Sequence, residues 1–157
     1  MGKTNNYFNN TNEIRYRTLE FKKKKYKVQE NFGLAYFVAE RADEIEKKAE
    51  EEEKKLEEFN LEEEKRLNEY IEEHGTDEGF EPRTYKSRFN EAYESLKMMR
   101  SVIIKVVGED FLEVVEQSLN SKEFVLMFYI VVNMMNGLDE DEAFDQALAQ
   151  QKKMNII

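Results

Sequence analysis

The chain has 157 residues, no cysteine, 40 % hydrophobic and 37 % charged residues, and a formal net charge of −10. That length suits one domain or a domain with an appendage, and the lack of thiols excludes disulfides and thiolate zinc sites. Residues 1–30 carry a net +5, residues 31–80 −11 and residues 81–157 −4, so the molecule as a whole repels nucleic acid and anionic lipid while its N-terminal arm is locally basic.

Residues 1–12 are polar and Asn-rich, which predicts a frayed end. They contain no apolar stretch of a secretory signal. Asn6 stands where myristoylation needs Ser or Thr, and Gly2-Lys3-Thr4 lacks the glycine loop of a phosphate cradle. Residues 14–28, IRYRTLEFKKKKYKV, are rich in β-branched and aromatic side chains. They predict two short strands with Lys22 to Lys25 at or near the connection, although no Gly, Asn or Asp is there to make the turn.

From Asn31, a fitting N-cap, the pattern becomes helical. Leu34, Phe37, Val38, Arg41, Ala42, Ile45 and Ala49 recur at steps of three and four. Beyond Ile45 the stripe thins to Leu56, Phe59, Leu67, Tyr70 and Ile71 among runs such as EKKAEEEEKKLEEF. Glu44 with Lys48, Glu50 with Lys54, Glu51 with Lys55 and Glu62 with Arg66 stand in the favourable order at i, i+4, each worth about 0.2–0.5 kcal/mol. Asn60 and Glu63 have the spacing of a capping box and predict a break near residue 60. HGTDEGFEP, with two glycines and the only proline, ends this part in a loop.

Four further helices are predicted. The first runs from about Arg83 to Val107 and stops at Gly108. Asp110 and Glu113 open the second as a D-x-x-E box, which ends near Asn120. The third is capped by Asn120 or Ser121 and closed by Gly137. Asp139 and Glu142 start the fourth, with Leu138 placed to staple onto Ala143. The expected fold is mainly α (α+β): a short N-terminal β-hairpin, a long charged helix and a C-terminal bundle of about four helices. Its expected parts are a flexible end 1–12, a β segment plus first helix 13–45, a charged extension and loop 46–80, and a helical domain 81–157.

FVLMFYIVVNMMNG, residues 124–137, is the most apolar stretch, with eleven of the twelve residues from Phe124 to Met135 apolar. It is shorter than the roughly 20 residues a bilayer span needs. A helix apolar on all sides is either a central core helix or one whose outer face meets another polypeptide. Methionines suit a surface that repacks against varied partners. On the second reading, Phe124, Met127, Phe128, Val131 and Met135, with Met98 and Met99, form the partner-binding surface.

Nothing in the sequence points to catalysis. His74, the sole histidine, sits at a helix end where a dipole contact accounts for it. The thirteen acids from Glu46 to Glu73 form pairs of any spacing by chance. Asp139-Glu140-Asp141-Glu142 lacks the glycine and the distal glutamate of an EF-hand. Lys22 to Lys25 with Tyr16, Phe21 and Tyr26 form the one patch of nucleic-acid type, and a solvated strand edge guarded by lysines is the better explanation of it. No enzyme, cofactor or metal is expected.

The order of parts resembles the tail assembly chaperones of long-tailed bacteriophages. LEFKKKKYKV leads into a helix, VIIKVVGEDFLEVVEQSL follows in the second half, and then FVLMFYIVVNMMNGLDEDEAF. Gly108, Glu109, Asp110 and Phe111, followed by Phe124 to Gly137, match that family's cadence, and the likeness covers about residues 14–45 and 83–150. The charged helix from Glu46 to Glu73 is longer than the family pattern. The resemblance implies a small acidic protein in the cytoplasm of an infected bacterium. There it would bind the apolar tape measure protein, or another apolar helical polypeptide, and keep it soluble, possible homo-oligomer formation included, with no membrane role and nucleic acid disfavoured. Two rivals stand beside it. One is an acidic phage-encoded inhibitor mimicking DNA through carboxylates 50–73, against which the six Lys/Arg interleaved among the thirteen acids from Glu46 to Glu73 argue. The other is a coiled-coil adaptor, whose seam Glu52 and Glu63 would interrupt.

Overall fold

The fold comes from a computed structural model that describes residues 2–3 and 15–154; the remainder of the expected flexible end 1–12 lies outside the described residues. Strands β1 (Tyr16–Phe21) and β2 (Lys24–Gln29) precede five helices among the described residues. These are α1 (Phe32–His74), α2 (Glu91–Val106), α3 (Glu109–Ser118), α4 (Ser121–Met135) and α5 (Glu140–Met154). A short hairpin, a long charged helix and a helical C-terminal part are therefore present as expected. The chain divides into two compact units, one from residues up to Ala39 together with those from Lys97 onward, the other Glu40–Leu96.

In the first unit β1 and β2 pair antiparallel, Leu19 opposite Tyr26 and Phe21 opposite Lys24. Side chains alternate across a strand, so Leu19, Phe21, Tyr26 and Val28 share one face while Tyr16, Thr18, Lys25 and Lys27 share the other. The middle of the inner face is covered: Leu19 and Val28 are buried, and the half-buried rings of Phe21 and Tyr26 meet Phe111 of α3 at 6.0 and 4.7 Å. The turn is the two residues Lys22 and Lys23, with φ 52° and 64°. Positive φ at both positions is the geometry that suits a hairpin's twist and that Asn-Gly normally supplies. With side chains bearing a Cβ it costs about 1–2 kcal/mol per residue.

The helices of this unit start and stop on local chemistry. Asn31 Oδ1 accepts the Leu34 N–H at 3.1 Å, capping α1 as expected. Its own N–H donates to the Met135 carbonyl at 3.3 Å, tying the start of α1 to the end of α4. Asn120 and Glu123 form a reciprocal capping box on α4. At the other end of α4 the Gly137 N–H reaches the Met134 carbonyl and the Leu138 N–H reaches that of Asn133. That is a Schellman closure, with Gly137 at φ 102°. Asp139 Oδ1 accepts the Glu142 N–H at 3.0 Å to cap α5. At α3 the structure departs from expectation. The helix begins at Glu109 with Gly108 as its uncapped boundary, and Asp110 lies within the first turn, where its charge meets the positive end of the helix.

Helix α4 is the centre of the unit. Phe128 is buried, as are Val131, Met134 and Met135, and α5 packs beside it through Ala143 and Ala147, both fully buried. Alanines one turn apart let the two backbones approach closely. Asn133, the one buried polar residue of the described core, donates to the Ala143 carbonyl and to Gln150 Oε1, each at 3.2 Å. Gln151 Nε2 donates to the Lys122 carbonyl at 3.0 Å. A buried amide with its partners satisfied fixes the register of α5 on α4.

The second unit holds most of the charge-rich part of α1 and the segment that follows it. The helix runs unbroken through Asn60. The expected break does not occur because Glu63 does not cap: its carboxylate accepts from Arg66 and Arg83 at 2.7 Å each. None of the four expected i, i+4 pairs forms among the described residues. Arg66 pairs with Glu63, Lys55 with Glu52 and Lys47 with Asp43. The stretch expected to begin the next helix, Arg83 to Phe89, is not helical. It runs back along α1, and α2 begins only where Asn90 Oδ1 accepts the Tyr93 N–H at 3.1 Å.

Candidate partner-binding surfaces

The seven side chains expected to face a partner are all in the core. Met98 and Met99 are each 9 % exposed, Phe124 7 %, Met127 8 %, Phe128 3 %, Val131 0 % and Met135 2 %. The outward surface expected of them is absent from this fold. The reason is packing: the hairpin contributes an apolar face of its own, and the alanines of α5 bring that helix close enough to cover α4 from another side. Of the two readings of the apolar helix, the central core helix is the observed one. Only Val125, Leu126, Tyr129 and Val132 remain half-buried, and burial pushes the Tyr129 hydroxyl above its ordinary pKa.

The most exposed large apolar side chains of the first unit lie instead at the start of α1. Phe32 is 87 % exposed and Tyr36 66 %. They stand one helical turn apart on the same face. Phe37, 41 % exposed, carries Lys105 Nζ at 5.2 Å from its ring centre, an exposed cation–π contact. The periodicity in the sequence includes Phe37 but not Phe32 or Tyr36. Those two are legible only as aromatics off the main stripe of an amphipathic helix.

In the second unit the segment 75–90 is fastened to α1 at successive points. Tyr70 Oη donates to the Glu78 carbonyl at 2.6 Å, and Gly79 passes so close that a Cβ there would lie 2.8 Å from the same hydroxyl. The Phe80 ring meets Tyr70 at 5.5 Å and the Arg66 guanidinium at 4.9 Å. Glu63 accepts both the backbone N–H and the Nε of Arg83. These donors, the Arg83 backbone N–H foremost, hold the Glu63 carboxyl at a pKa of about 2. Glu52 Oε2 accepts from Tyr85 Oη at 2.7 Å and Ser87 Oγ at 2.9 Å. The bond from Tyr85, then that from Ser87, lowers the Glu52 pKa, and the same bond raises that of Tyr85.

Between α1 and this returning strap lies an open groove of about 490 Å³. Its lining includes Glu46, Glu50, Glu52, Glu53 and Glu91, with Leu56, Tyr85 and Phe89 as its larger apolar members and no Lys or Arg. His74 stacks on Tyr70 at 4.1 Å and its Nδ1 lies 3.0 Å from the Tyr70 carbonyl, a local helix-end contact. Among the described residues no group of three or more His, Asp or Glu converges as a metal site would require. No helix among them is long and apolar enough to cross a membrane. In comparisons with known proteins, the chain matches no family model, no curated protein and no solved structure.

Proposed function

We propose that this protein is a non-catalytic binding protein of the tail-assembly-chaperone kind. It would hold the apolar tape measure protein soluble in the cytoplasm of an infected bacterium. The observation that carries the reading is the aromatic face at the start of α1, where Phe32 and Tyr36 stand largely in solvent. Exposed aromatics of this size, one turn apart, suit an apolar helical client. The strongly acidic remainder of α1 keeps a loaded complex dispersed by like-charge repulsion.

The test is co-expression with a tape measure protein, whose gene this reading expects to lie next to that of the chain. The client is expected in the soluble fraction with the wild-type chain and in the pellet with Phe32→Glu/Tyr36→Glu, the variant itself remaining folded by circular dichroism. Retention of the complex at high salt is expected, because apolar burial is not screened. An acidic DNA mimic would instead lose its target steeply as salt rises. Equal client solubility with the variant would remove the surface from the proposal, and no solubilisation by the wild type would remove the chaperone function.

A further inference from the structure

We propose that the lysine tip of the β-hairpin docks into the acidic groove of a second copy of the chain, so that the protein associates with itself head to tail. This does not rest on the chaperone reading. Two independent features are complementary. The tip carries Lys22 and Lys23 at positive φ, a geometry that glycine and asparagine adopt at far lower cost. Strained turns kept with an unfavourable residue mark a side chain that serves something other than the fold. Lys22, Lys23 and Lys25 are exposed and make no ion pair among the described residues.

The groove supplies the opposite sign. Glu46, Glu50 and Glu53 recur at steps of four and three along α1 and so share a face. Glu91 closes the lining, and no base lies within it. Glu46, Glu50, Glu53 and Glu91 make no ion pair among the described residues. Leu56 and Phe89 offer apolar surface to the methylene stems of lysines whose ammonium groups reach the carboxylates. A partner of this chemistry is encoded in the same chain: the +5 of residues 1–30 against the −11 of residues 31–80. Nucleic acid and anionic membranes also attract lysines, yet the net charge of −10 opposes both. Tip and groove are different surfaces, so the contact is heterologous and propagates into rings or filaments rather than closing as a two-fold dimer.

Sedimentation velocity on the full chain tests this. Wild type is expected to associate with rising concentration at low salt and to dissociate as salt is added. Lys22→Asn/Lys23→Gly, which suits the turn better while discarding its charge, is expected to fold at least as stably and to associate at least about tenfold more weakly. Glu50→Lys/Glu53→Lys is expected to weaken association likewise. Mixing that variant with Lys22→Glu/Lys23→Glu, each poorly associating alone, is expected to restore a complex through the reversed pair. A wild type that stays monomeric overturns the proposal. So does association indifferent to either reversal, or a mixture that does not re-form the complex. Binding of a single-stranded oligonucleotide or of phosphatidylserine vesicles through the lysine tip, without self-association, would overturn it in favour of a polyanion partner.

Discussion

Glu52 and Glu63 stand about three helical turns apart on α1, on a face otherwise marked by Leu56, Phe59 and Tyr70. As interruptions of an apolar stripe they count against a coiled coil, and their bonds to Tyr85, Ser87 and Arg83 explain why they are there. They accept the polar groups of the returning strap. The Glu63 carboxyl has a folded pKa of about 2 against an ordinary 4.5. A depressed carboxyl contributes its full stabilisation above the ordinary value and loses it as pH falls through the folded value. The strap is therefore expected to loosen between about pH 4.5 and 2, read as loss of amide-exchange protection at Arg83 and of ring contacts at Tyr85. Glu63→Gln should show the same loosening at neutral pH. At the hairpin tip, Lys23→Gly is expected to raise stability by about 1 kcal/mol, measured by chemical denaturation, because glycine takes positive φ without the Cβ clash.

At the level of elements, α4 separates core from surface. Phe128→Ala empties a sealed site and is expected to cost about 3–5 kcal/mol. Phe32→Ala removes an exposed ring and should change stability by less than about 0.5 kcal/mol. Asn120→Ala breaks the capping box and is expected to cost about 1 kcal/mol. Urea denaturation of the three variants checks the ranking. These helix boundaries were legible because Asn31, Asn120, Gly137 and Asp139 carry their signals within four residues of the backbone groups they satisfy. Two larger features were not legible. Phe89 and Tyr93 keep a helical spacing, so Arg83 to Phe89 reads as helix until the strap's bonds to Glu52 and Glu63, distant in sequence, are seen. Asn90 before Glu91 and Glu94 was the local sign of the true start. The burial of Phe124, Met127 and their companions depended on how many apolar faces converge on α4, a property of tertiary packing that no single segment states.

For the whole molecule, stability should be unevenly spread. The first unit holds most of the sealed side chains, whereas the described residues of the second bury little beyond Ile45. Hydrogen exchange is expected to be slowest in α4 and fastest in α1 beyond Ile45, where backbone bonds face water and few apolar contacts resist opening. Tyr85→Phe should speed exchange across residues 50–90 and leave α4 unchanged. The strap also imposes an arithmetic on any natural length variation in this region. A helix advances about 1.5 Å per residue and an extended chain about 3.3 Å. Insertions in α1 would have to come in near-whole turns to keep the two glutamates facing inward, matched by roughly half as many residues on the way back. Relatives of different size should therefore differ by paired insertions of unequal length, about two to one, on either side of His74, and single unmatched insertions should be rare.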